Sequence, residues 1–168
     1  MPINAPATLD ARLQALGIDC VRVDHPAVFT CDEATRVVPT LPGARTKNLF
    51  LRDRKGQRHL LVVVAQDKRV DLKQLGQMLD AKGLMLASDE RLLRHLGVGA
   101  GSVSILALIN DTDVAVELVV DADVWSAPAM LAHPLVNTAT LVIDHDSILN
   151  FLQSTGHTAR VVALPQSH

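Results

Sequence analysis

The chain has 168 residues, of which 48% are apolar, and its formal net charge is −2. A chain of this length folds as one domain with a core that needs no disulfides or metal ions, and its negative charge excludes a protein that grips long duplex nucleic acid over its whole surface. Two cysteines, no N-terminal leader pattern and no apolar run of about 18 residues predict a reduced, cytoplasmic chain that does not enter a membrane.

The N-terminal part of the chain predicts a helix, a strand and a second helix, in that order. Thr8 can cap the first helix and Gly17 can end it. The alternating stretch "IDCVRVD" predicts a strand, which we expect the pair His25-Pro26 to end. "TCDEATRVV" opens with a capping box and predicts the second helix.

The middle of the chain predicts a hairpin followed by two helices. "ARTKNLFLRD" and "QRHLLVVVAQ" are its strands, and the second is apolar on both faces, which indicates a central strand. Asp71 caps the helix in "DLKQLGQMLDAKG". The next helix begins at Ser88 or Asp89 and ends at a glycine, Gly97.

The C-terminal part predicts a second hairpin, formed by "SILALIN" and "VAVELVVD". It is followed by a strand in "TATLVID", a helix in "DSILNFLQSTG" and a closing strand in "ARVVAL". Hairpins and helices alternate without a regular βαβ rhythm. The sequence therefore predicts an α+β fold with a mixed, largely antiparallel sheet flanked by helices, in a single domain over residues 1–168.

Positive charge is concentrated between residues 45 and 69. This stretch has eight basic and two acidic residues, a local charge of +6, so the rest of the chain sums to −8. Such asymmetry indicates either a solvated hairpin or a surface that faces a polyanion, such as one end of an RNA or a nucleotide. The basic residues are Arg45, Lys47, Arg52, Arg54, Lys55, Arg58, Lys68 and Arg69.

Lys47 stands two residues before Leu49 in the first strand of the predicted hairpin. Residues two apart in a strand share a face, so Lys47 points the same way as Leu49 and Leu51. It is either a strand-edge lysine whose ammonium reaches water, or a cation at the floor or rim of a pocket that binds a phosphate or a carboxylate.

Three glycines at a spacing of two stand in "LGVGAGSVSIL". A dinucleotide-binding site is excluded, because the fingerprint needs a glycine where Ser102 stands and needs a strand before the loop and a helix after it. A helix C-cap explains Gly97. Gly99 and Gly101 fit either a tight turn or a loop whose backbone amides hold an anion or an oxyanion.

Two polar residues stand out in "LAHPLVNTATLVI". His133 precedes a proline, and Asn137 precedes the next predicted strand. Each is either a hydrogen-bonded structural residue or a ligand of a substrate. The stretch Asp144-His145-Asp146 lacks a metal-site partner spacing and is better explained as a helix N-terminus. Cys31 at a helix start has no catalytic motif around it, so we expect neither a metal site nor cysteine catalysis.

The stretches "TKNLFLRD", "LGVGAGSVSILALIND" and "HPLVNTATLVI" resemble, in their order and spacing, motifs of the YbaK/ProX family. These proteins are free-standing relatives of the editing domain inserted in bacterial prolyl-tRNA synthetases. The resemblance extends from "HPAVFTCDEA" to "ARVVAL" and is closest to the branch that hydrolyses alanine mischarged on proline tRNA. It implies the fold of that editing domain.

The resemblance also implies roles for individual residues. Lys47 matches a lysine that is needed for activity, which meets the terminal adenosine or a phosphate, and His133 matches the histidine that lines the aminoacyl pocket. Residues 101–105 match a G-x-x-x-P loop that holds the scissile ester, with Ile105 in place of the proline. The implied catalytic residues are Lys47, Gly101 and His133, and the implied substrate-binding residues are Asn48, Ser102, Val103, Ser104, Ile105 and Asn137.

The implied activity is hydrolysis of Ala-tRNA(Pro) at the aminoacyl ester of the tRNA 3′ end, without a metal or other cofactor. Such an ester is activated, so its hydrolysis needs positioning and oxyanion stabilisation rather than a Ser-His-Asp set, and in the family the 2′-hydroxyl of the terminal ribose helps to activate the water. The implied partners are tRNA and prolyl-tRNA synthetase, and the aliphatic composition permits a homodimer. The alternatives are a deacylase for another mischarged tRNA, such as one carrying cysteine or serine, a catalytically silent module that binds tRNA or a synthetase, and a small-molecule binding protein.

Overall fold

Short polar residues and glycines set the ends of the helices. The computed structural model describes residues 6–27, residue 36 and residues 41–167. The side chains of Asp71, Ser88 and Asp144 each accept a hydrogen bond from the backbone amide three residues later, which satisfies a free amide of the first helical turn. Gly97 and Gly156 end two helices in the left-handed conformation. The predicted caps at Asp71, Ser88 and Gly97 are therefore confirmed.

The described residues form five α-helices, eight strands and two short 3₁₀ helices. The α-helices are α1 (Pro6–Ala15), α2 (Leu72–Met78), α3 (Asp89–Leu96), α4 (Ala122–Trp125) and α5 (His145–Thr155). The strands are β1 (Val21–Asp24), β2 (Thr46–Arg52), β3 (His59–Ala65), β4 (Met85–Leu86), β5 (Val116–Asp121), β6 (Ala129–Ala132), β7 (Ala139–Asp144) and β8 (Ala159–Val162). The 3₁₀ helices are Ala100–Ser102 and Ile105–Asn110. None of the helices in this described part combines the length and the apolar character that a membrane crossing requires.

The strands form two sheets. The larger has the order β4-β2-β3-β5-β8, antiparallel from β4 to β3 and parallel from β3 to β8. The smaller has the order β1-β7-β6 and is antiparallel throughout. The predicted α+β class with a mixed sheet is confirmed.

The larger sheet is buried on both faces, as the apolar sequence of β3 indicates. Leu61 and Val63 of this strand belong to one core cluster, together with side chains of α1, α3, α5 and the smaller sheet. Leu60 and Val62 point the other way and belong to a second cluster that α2 covers. Because β3 lies between β2 and β5 and packs on both sides, the prediction of a central strand is confirmed.

The predicted second hairpin is wrong, because residues 105–110 form a 3₁₀ helix instead of a strand. The buried hydroxyl of Ser104 accepts a hydrogen bond from the Leu106 amide and its carbonyl accepts one from Ala107, which starts the helix. The strand that follows, β5, pairs in parallel with β3. The helix predicted in residues 30–38 lies outside the described residues except at Arg36, which is helical.

A buried ion pair joins the residue that follows the second 3₁₀ helix to the end of α5. The Nε2 atom of His157 lies 2.8 Å from an Asp111 carboxylate oxygen, and both side chains are at most 4% exposed. Thr155 donates its hydroxyl proton to the Leu152 carbonyl, so the contact of 2.8 Å between its oxygen and Nδ1 requires the imidazole to donate. Burial disfavours the charged carboxylate, but hydrogen bonds from His157 and from backbone amides outweigh it and lower the pKa of Asp111.

Replacing His157 by alanine should therefore destabilise the protein strongly. The variant leaves the Asp111 carboxylate buried without its cation, which costs about 3–5 kcal/mol of unfolding free energy. Arg94→Ala is the matched control, since it removes the exposed ion pair to Glu90 and should cost less than about 1 kcal/mol. Urea unfolding measures both values, and equal costs for the two variants would contradict the assignment.

Candidate active site

An open cleft lies where the start of β2 meets β6 and β7 of the smaller sheet. It encloses about 410 Å³ of empty space, part of which is open to solvent. Two of its eight lining residues, Leu131 and Ala132, are aliphatic, and the other six carry polar side chains that can orient a ligand. The lining residues are Arg45, Thr46, Asn48, Gln66, Leu131, Ala132, His133 and Thr140.

A short backbone connection between the two sheets forms this cleft. The amide of Ala44 donates to the Ala129 carbonyl at 2.8 Å, and the amide of Leu131 donates to the Ala44 carbonyl at 3.0 Å. Gly43 has φ +132°, a backbone conformation that favours glycine, although a Cβ atom there would only reach ordinary contact, 3.4 Å, with the Ala129 backbone. The hydroxyl of Thr46 adds a hydrogen bond of 3.1 Å to the Leu131 carbonyl.

His133 follows β6 and presents a neutral imidazole to the cleft. Its Nδ1 atom lies 3.1 Å from the Ala139 carbonyl, which can only accept, so Nδ1 carries the proton and Nε2 keeps a lone pair. Burial lowers the pKa of His133, the Ala139 carbonyl opposes this, and the nearby His25 adds to the lowering. Near pH 7 the ring therefore offers one hydrogen-bond acceptor, able to hold an amine, a hydroxyl or a water.

Ser104 holds the backbone at His133 in place. Its side chain is fully buried, and its hydroxyl donates to the His133 carbonyl at 2.6 Å while it accepts from the Leu106 amide at 3.1 Å. The proton and a lone pair of the Ser104 hydroxyl are thus both used in hydrogen bonds within the protein. Ser104 is a positioning residue that connects the loop after α3 to the cleft.

The other predicted loop residues do not line this cleft. Gly101 and Ser102 are half-buried in the first 3₁₀ turn. The side chains of Val103 and Ile105 are buried in the first core cluster. Asn137 is half-buried in the bend between β6 and β7 and is also absent from the lining.

Lys47 lies on the opposite face of β2 from the cleft. It pairs with Val64 across the sheet, whereas Asn48 pairs with Val63, and these two valines belong to different core clusters. Lys47 therefore shares a face with Leu49, as the alternation predicts, while Asn48 faces the cleft with His133. Among the residues described, no carboxylate lies within ion-pair distance of the half-buried Lys47.

The sequence model of one protein family, described as an aminoacyl-tRNA editing domain, matches residues 25–151. A relative from Acetoanaerobium sticklandii, "Prolyl-tRNA editing protein ProX", is 32% identical over 98% of this chain and 100% of its own. The chain belongs to the aminoacyl-tRNA editing domain family. The expected resemblance is therefore confirmed.

Two further proteins are similar to this editing domain. "Prolyl-tRNA synthetase associated domain-containing protein 1" of Danio rerio is 37% identical over 96% of this chain and 89% of its own. A solved structure described as a candidate trans-editing enzyme for prolyl-tRNA synthetase superposes with a TM-score of 0.69. It is 21% identical and covers 99% of this chain and 100% of its own, so it supports the fold.

Several residues of the editing domain's cleft are not among those that the sequence predicts. Thr46 is two residues before Asn48, so strand alternation alone could have placed them together. Thr140 carries a hydrogen bond of 2.9 Å to Nε2 of His25, which links the end of β1 to the cleft wall. Arg45 and Gln66 are joined by a backbone hydrogen bond at the end of the hairpin, and only the fold brings them to the cleft.

The remaining residues considered from the sequence, Asp144 and Cys31 among them, either have a structural role or lie outside the described residues. Asp144 caps α5 through Ser147, and the hydrogen bonds from the Ser147 hydroxyl and amide lower its pKa, so the interpretation of this stretch as a helix N-terminus is confirmed. No group of three or more metal-binding side chains occurs within the described ranges. Cys31 lies outside them.

Replacing Ile105 by proline should leave the fold intact. Ile105 is the first residue of a 3₁₀ helix, where an amide has no intrahelical partner, and Ser104 before it is extended at φ −155°, ψ 167°. We expect a loss of about 1–2 kcal/mol of unfolding free energy from the smaller buried side chain. Leu108→Pro, inside the same helix, is the control and should cost about 3 kcal/mol or more.

Circular dichroism and urea unfolding measure both variants. If Ile105→Pro unfolds the protein as readily as Leu108→Pro does, residue 105 is not at a proline-compatible position.

Proposed function

We propose that this editing domain is a trans-acting aminoacyl-tRNA deacylase that hydrolyses alanine mischarged on proline tRNA. The observation that carries the proposal is that an acceptor imidazole, His133, and the amide of Asn48 line one cleft together with the aliphatic residues Leu131 and Ala132. Membership of the aminoacyl-tRNA editing domain family supports the reaction class. The curated relative named as a prolyl-tRNA editing protein supports proline tRNA as the carrier.

The two aliphatic residues of the cleft support a small, apolar acyl group as the substrate. Leu131 and Ala132 offer methyl groups against which the alanine side chain can pack. The hydroxyls of Thr46 and Thr140 already have partners, the Leu131 carbonyl and the His25 ring. Because both hydroxyls already have partners, these two threonines give no preference to the polar side chain of serine or cysteine over alanine.

The residues of the cleft position the ester rather than attack it. Water adds to the ester carbonyl carbon, the bond from that carbon to the ribose oxygen breaks, and the ribose oxygen takes up a proton. Nε2 of His133 accepts a hydrogen bond from the substrate amine or from the water, and the side-chain amide of Asn48 donates to the carbonyl oxygen as negative charge develops. Ser104 keeps the His133 backbone fixed during these steps.

Lys47 contacts a phosphate near the 3′ end in this proposal. Its side chain leaves β2 on the face away from the cleft. In the described part of the larger sheet, β4 covers only Leu51 and Arg52 of β2, which leaves the edge near Lys47 open. A single strand that crosses this edge places its last residue in the cleft and a preceding phosphate near the ammonium.

The proposal also includes the binding partners of the enzyme and its cellular compartment. The aminoacylated 3′ end of tRNA is the substrate, and prolyl-tRNA synthetase, which produces the mischarged tRNA, is the partner whose errors the enzyme corrects. Both act in the cytoplasm. The reaction as written needs no cofactor, since the chain's own groups supply positioning and hydrogen bonds.

The proposal predicts selective deacylation of Ala-tRNA(Pro). The protein is incubated with proline tRNA charged with alanine, cysteine or serine, and loss of each ester is followed. The alanine ester should disappear fastest, and His133→Ala should reduce its kcat/KM about 100-fold, because positioned hydrogen-bonding and proton-transfer groups contribute on that order. Arg94→Ala, an exposed change on α3, serves as the control and should retain wild-type rates.

Lys47→Ala should raise KM for the charged tRNA in the same assay more than it lowers kcat, because it removes a phosphate contact outside the cleft. If the cysteine or serine ester disappears faster than the alanine ester, alanine is not the preferred substrate. Binding of tRNA without loss of any ester would contradict a catalytic role and favour a silent binding module.

The pH dependence should follow the imidazole of His133. Burial lowers its pKa below the ordinary 6.5, and the neutral ring is the acceptor form. The value of kcat/KM should therefore rise with pH, with an apparent pKa below 6.5, and be flat from about pH 7. The His133→Gln variant, which has no titrating ring, should lose this rise, and an unchanged profile in that variant would contradict the role of His133.

A further inference from the structure

A second groove, at the other end of β2, is surrounded by three cations. Arg54, Lys73 and Lys82 are exposed, and none of them lies within ion-pair distance of a carboxylate in the described part of the chain. The groove encloses about 1120 Å³ of empty space that opens to solvent. Asp80 supplies the one carboxylate of its lining, so the cations outnumber the acids by three to one.

The polypeptide around this groove is held in a fixed shape. The amide of Arg54 donates to the Lys82 carbonyl at 2.8 Å, which joins the tip of the β2–β3 hairpin to the loop after α2. Gly83 has φ +68°, and a Cβ atom there would lie 2.9 Å from the Cβ of Arg54, so the arginine stem packs directly on the glycine. The spacing between the backbones of Arg54 and Lys82 is thus set before any ligand binds.

Arg58 holds the same region in place through its side-chain hydrogen bonds. Its guanidinium binds both carboxylate oxygens of Glu117, at 2.8 and 2.7 Å, and donates to the carbonyls of Leu79 and Asp80. These bonds tie the hairpin to the end of α2. Arg58 is therefore neutralised within the fold and is not part of the ligand-facing charge.

The structure divides the basic stretch of the sequence into two groups. Arg58 and Lys68 are paired with carboxylates of β5, Glu117 and Asp121. Arg52 donates to carbonyls of its own hairpin. Arg54 belongs to the basic stretch of residues 45–69 and stays exposed at the groove. Lys73 on α2 and Lys82 in the loop after it lie outside that stretch and line the same groove.

The position of the groove relative to the cleft limits what it can bind. β2 has six residue steps from Thr46 at the cleft to Arg52, which is roughly 20 Å at about 3.3 Å per residue. Leu72, Ala81 and Leu84 of the groove lining pack in or against the second core cluster, on the Lys47 face of the sheet. A ligand that occupies both the cleft and the groove must be a long polyanion rather than a nucleotide.

We propose that this groove binds the phosphate backbone of the RNA duplex whose charged 3′ end enters the cleft. This proposal rests on the proposed deacylase function. Cations without aromatic side chains around them recognise phosphates and duplex shape, whereas bare bases need stacking platforms. The groove lining contains no aromatic residue. The contact therefore fixes the orientation of the acceptor arm and contributes affinity that does not depend on base sequence.

The test compares two triple variants that lose the same charge. Arg54→Ser, Lys73→Ser and Lys82→Ser remove the groove cations. Arg22→Ser, Arg94→Ser and Arg160→Ser remove three exposed cations outside the groove. Each variant is first checked for an unchanged unfolding curve, and then its KM and kcat are measured with Ala-tRNA(Pro) and with an alanylated trinucleotide that carries only the single-stranded 3′ end.

The groove variant should raise KM for Ala-tRNA(Pro) at least 10-fold with little change in kcat, and the control triple should change it far less. The slope of log binding constant against log salt, measured with uncharged tRNA, should become shallower by roughly 2, since each lost phosphate contact contributes about 0.7 to 0.9. The trinucleotide should be hydrolysed as by wild type, because it is too short to reach the groove.

Three outcomes would overturn the proposal. Equal effects of the two triples would show that only net charge matters. An equal loss with the trinucleotide would show that the groove acts through the cleft. Unchanged tRNA binding together with lost binding of prolyl-tRNA synthetase would make the groove a protein-docking surface. If wild type hydrolyses no ester, the deacylase function fails, and binding of uncharged tRNA by the two triples still decides whether the groove holds RNA.

Discussion

The backbone connection between Ala44 and β6 is the contact on which the cleft depends. Two hydrogen bonds, from the Ala44 amide to the Ala129 carbonyl and from the Leu131 amide to the Ala44 carbonyl, join a five-stranded sheet to a three-stranded one. They bring the start of β2 beside the end of β6, so that Asn48 and His133, 85 positions apart along the chain, line one cleft. Gly43, with φ +132°, supplies the backbone conformation that leads into this contact.

Some charged residues of this editing domain form ion pairs that stabilise the fold, and others remain available to bind a ligand. Asp111 with His157, Asp121 with Lys68 and Glu117 with Arg58 connect segments distant in sequence. The Glu117 hydrogen bond, partly opposed by burial, raises the pKa of Arg58, as expected for a cation held by its partner. Lys47 and the groove cations have no such carboxylate partner among the described residues. A modest net charge of −2 thus conceals a surface with local positive charge suited to RNA.

Local chemistry made much of the fold predictable, and long-range contacts account for what was missed. Asp71, Ser88 and Gly97 act within a few residues, so the caps could be read from sequence. Residues 105–110 could not, because an apolar run fits a strand or a buried helix equally well. Here the Ser104 hydroxyl, bound to the distant His133 carbonyl, favours the helix. Alternation correctly grouped Lys47 with Leu49, but which face of β2 forms the cleft depends on pairing between Ala44 and β6.

The central claim is that the cleft between Asn48 and His133 binds the alanyl end of a charged tRNA. The most direct measurement is a crystal structure with adenosine that carries alanine through a stable amide in place of the ester. The account predicts the alanyl methyl against Leu131 and Ala132, with the amine or a water at Nε2 of His133. A ligand bound elsewhere, or an alanyl group turned away from His133 toward solvent, would contradict it.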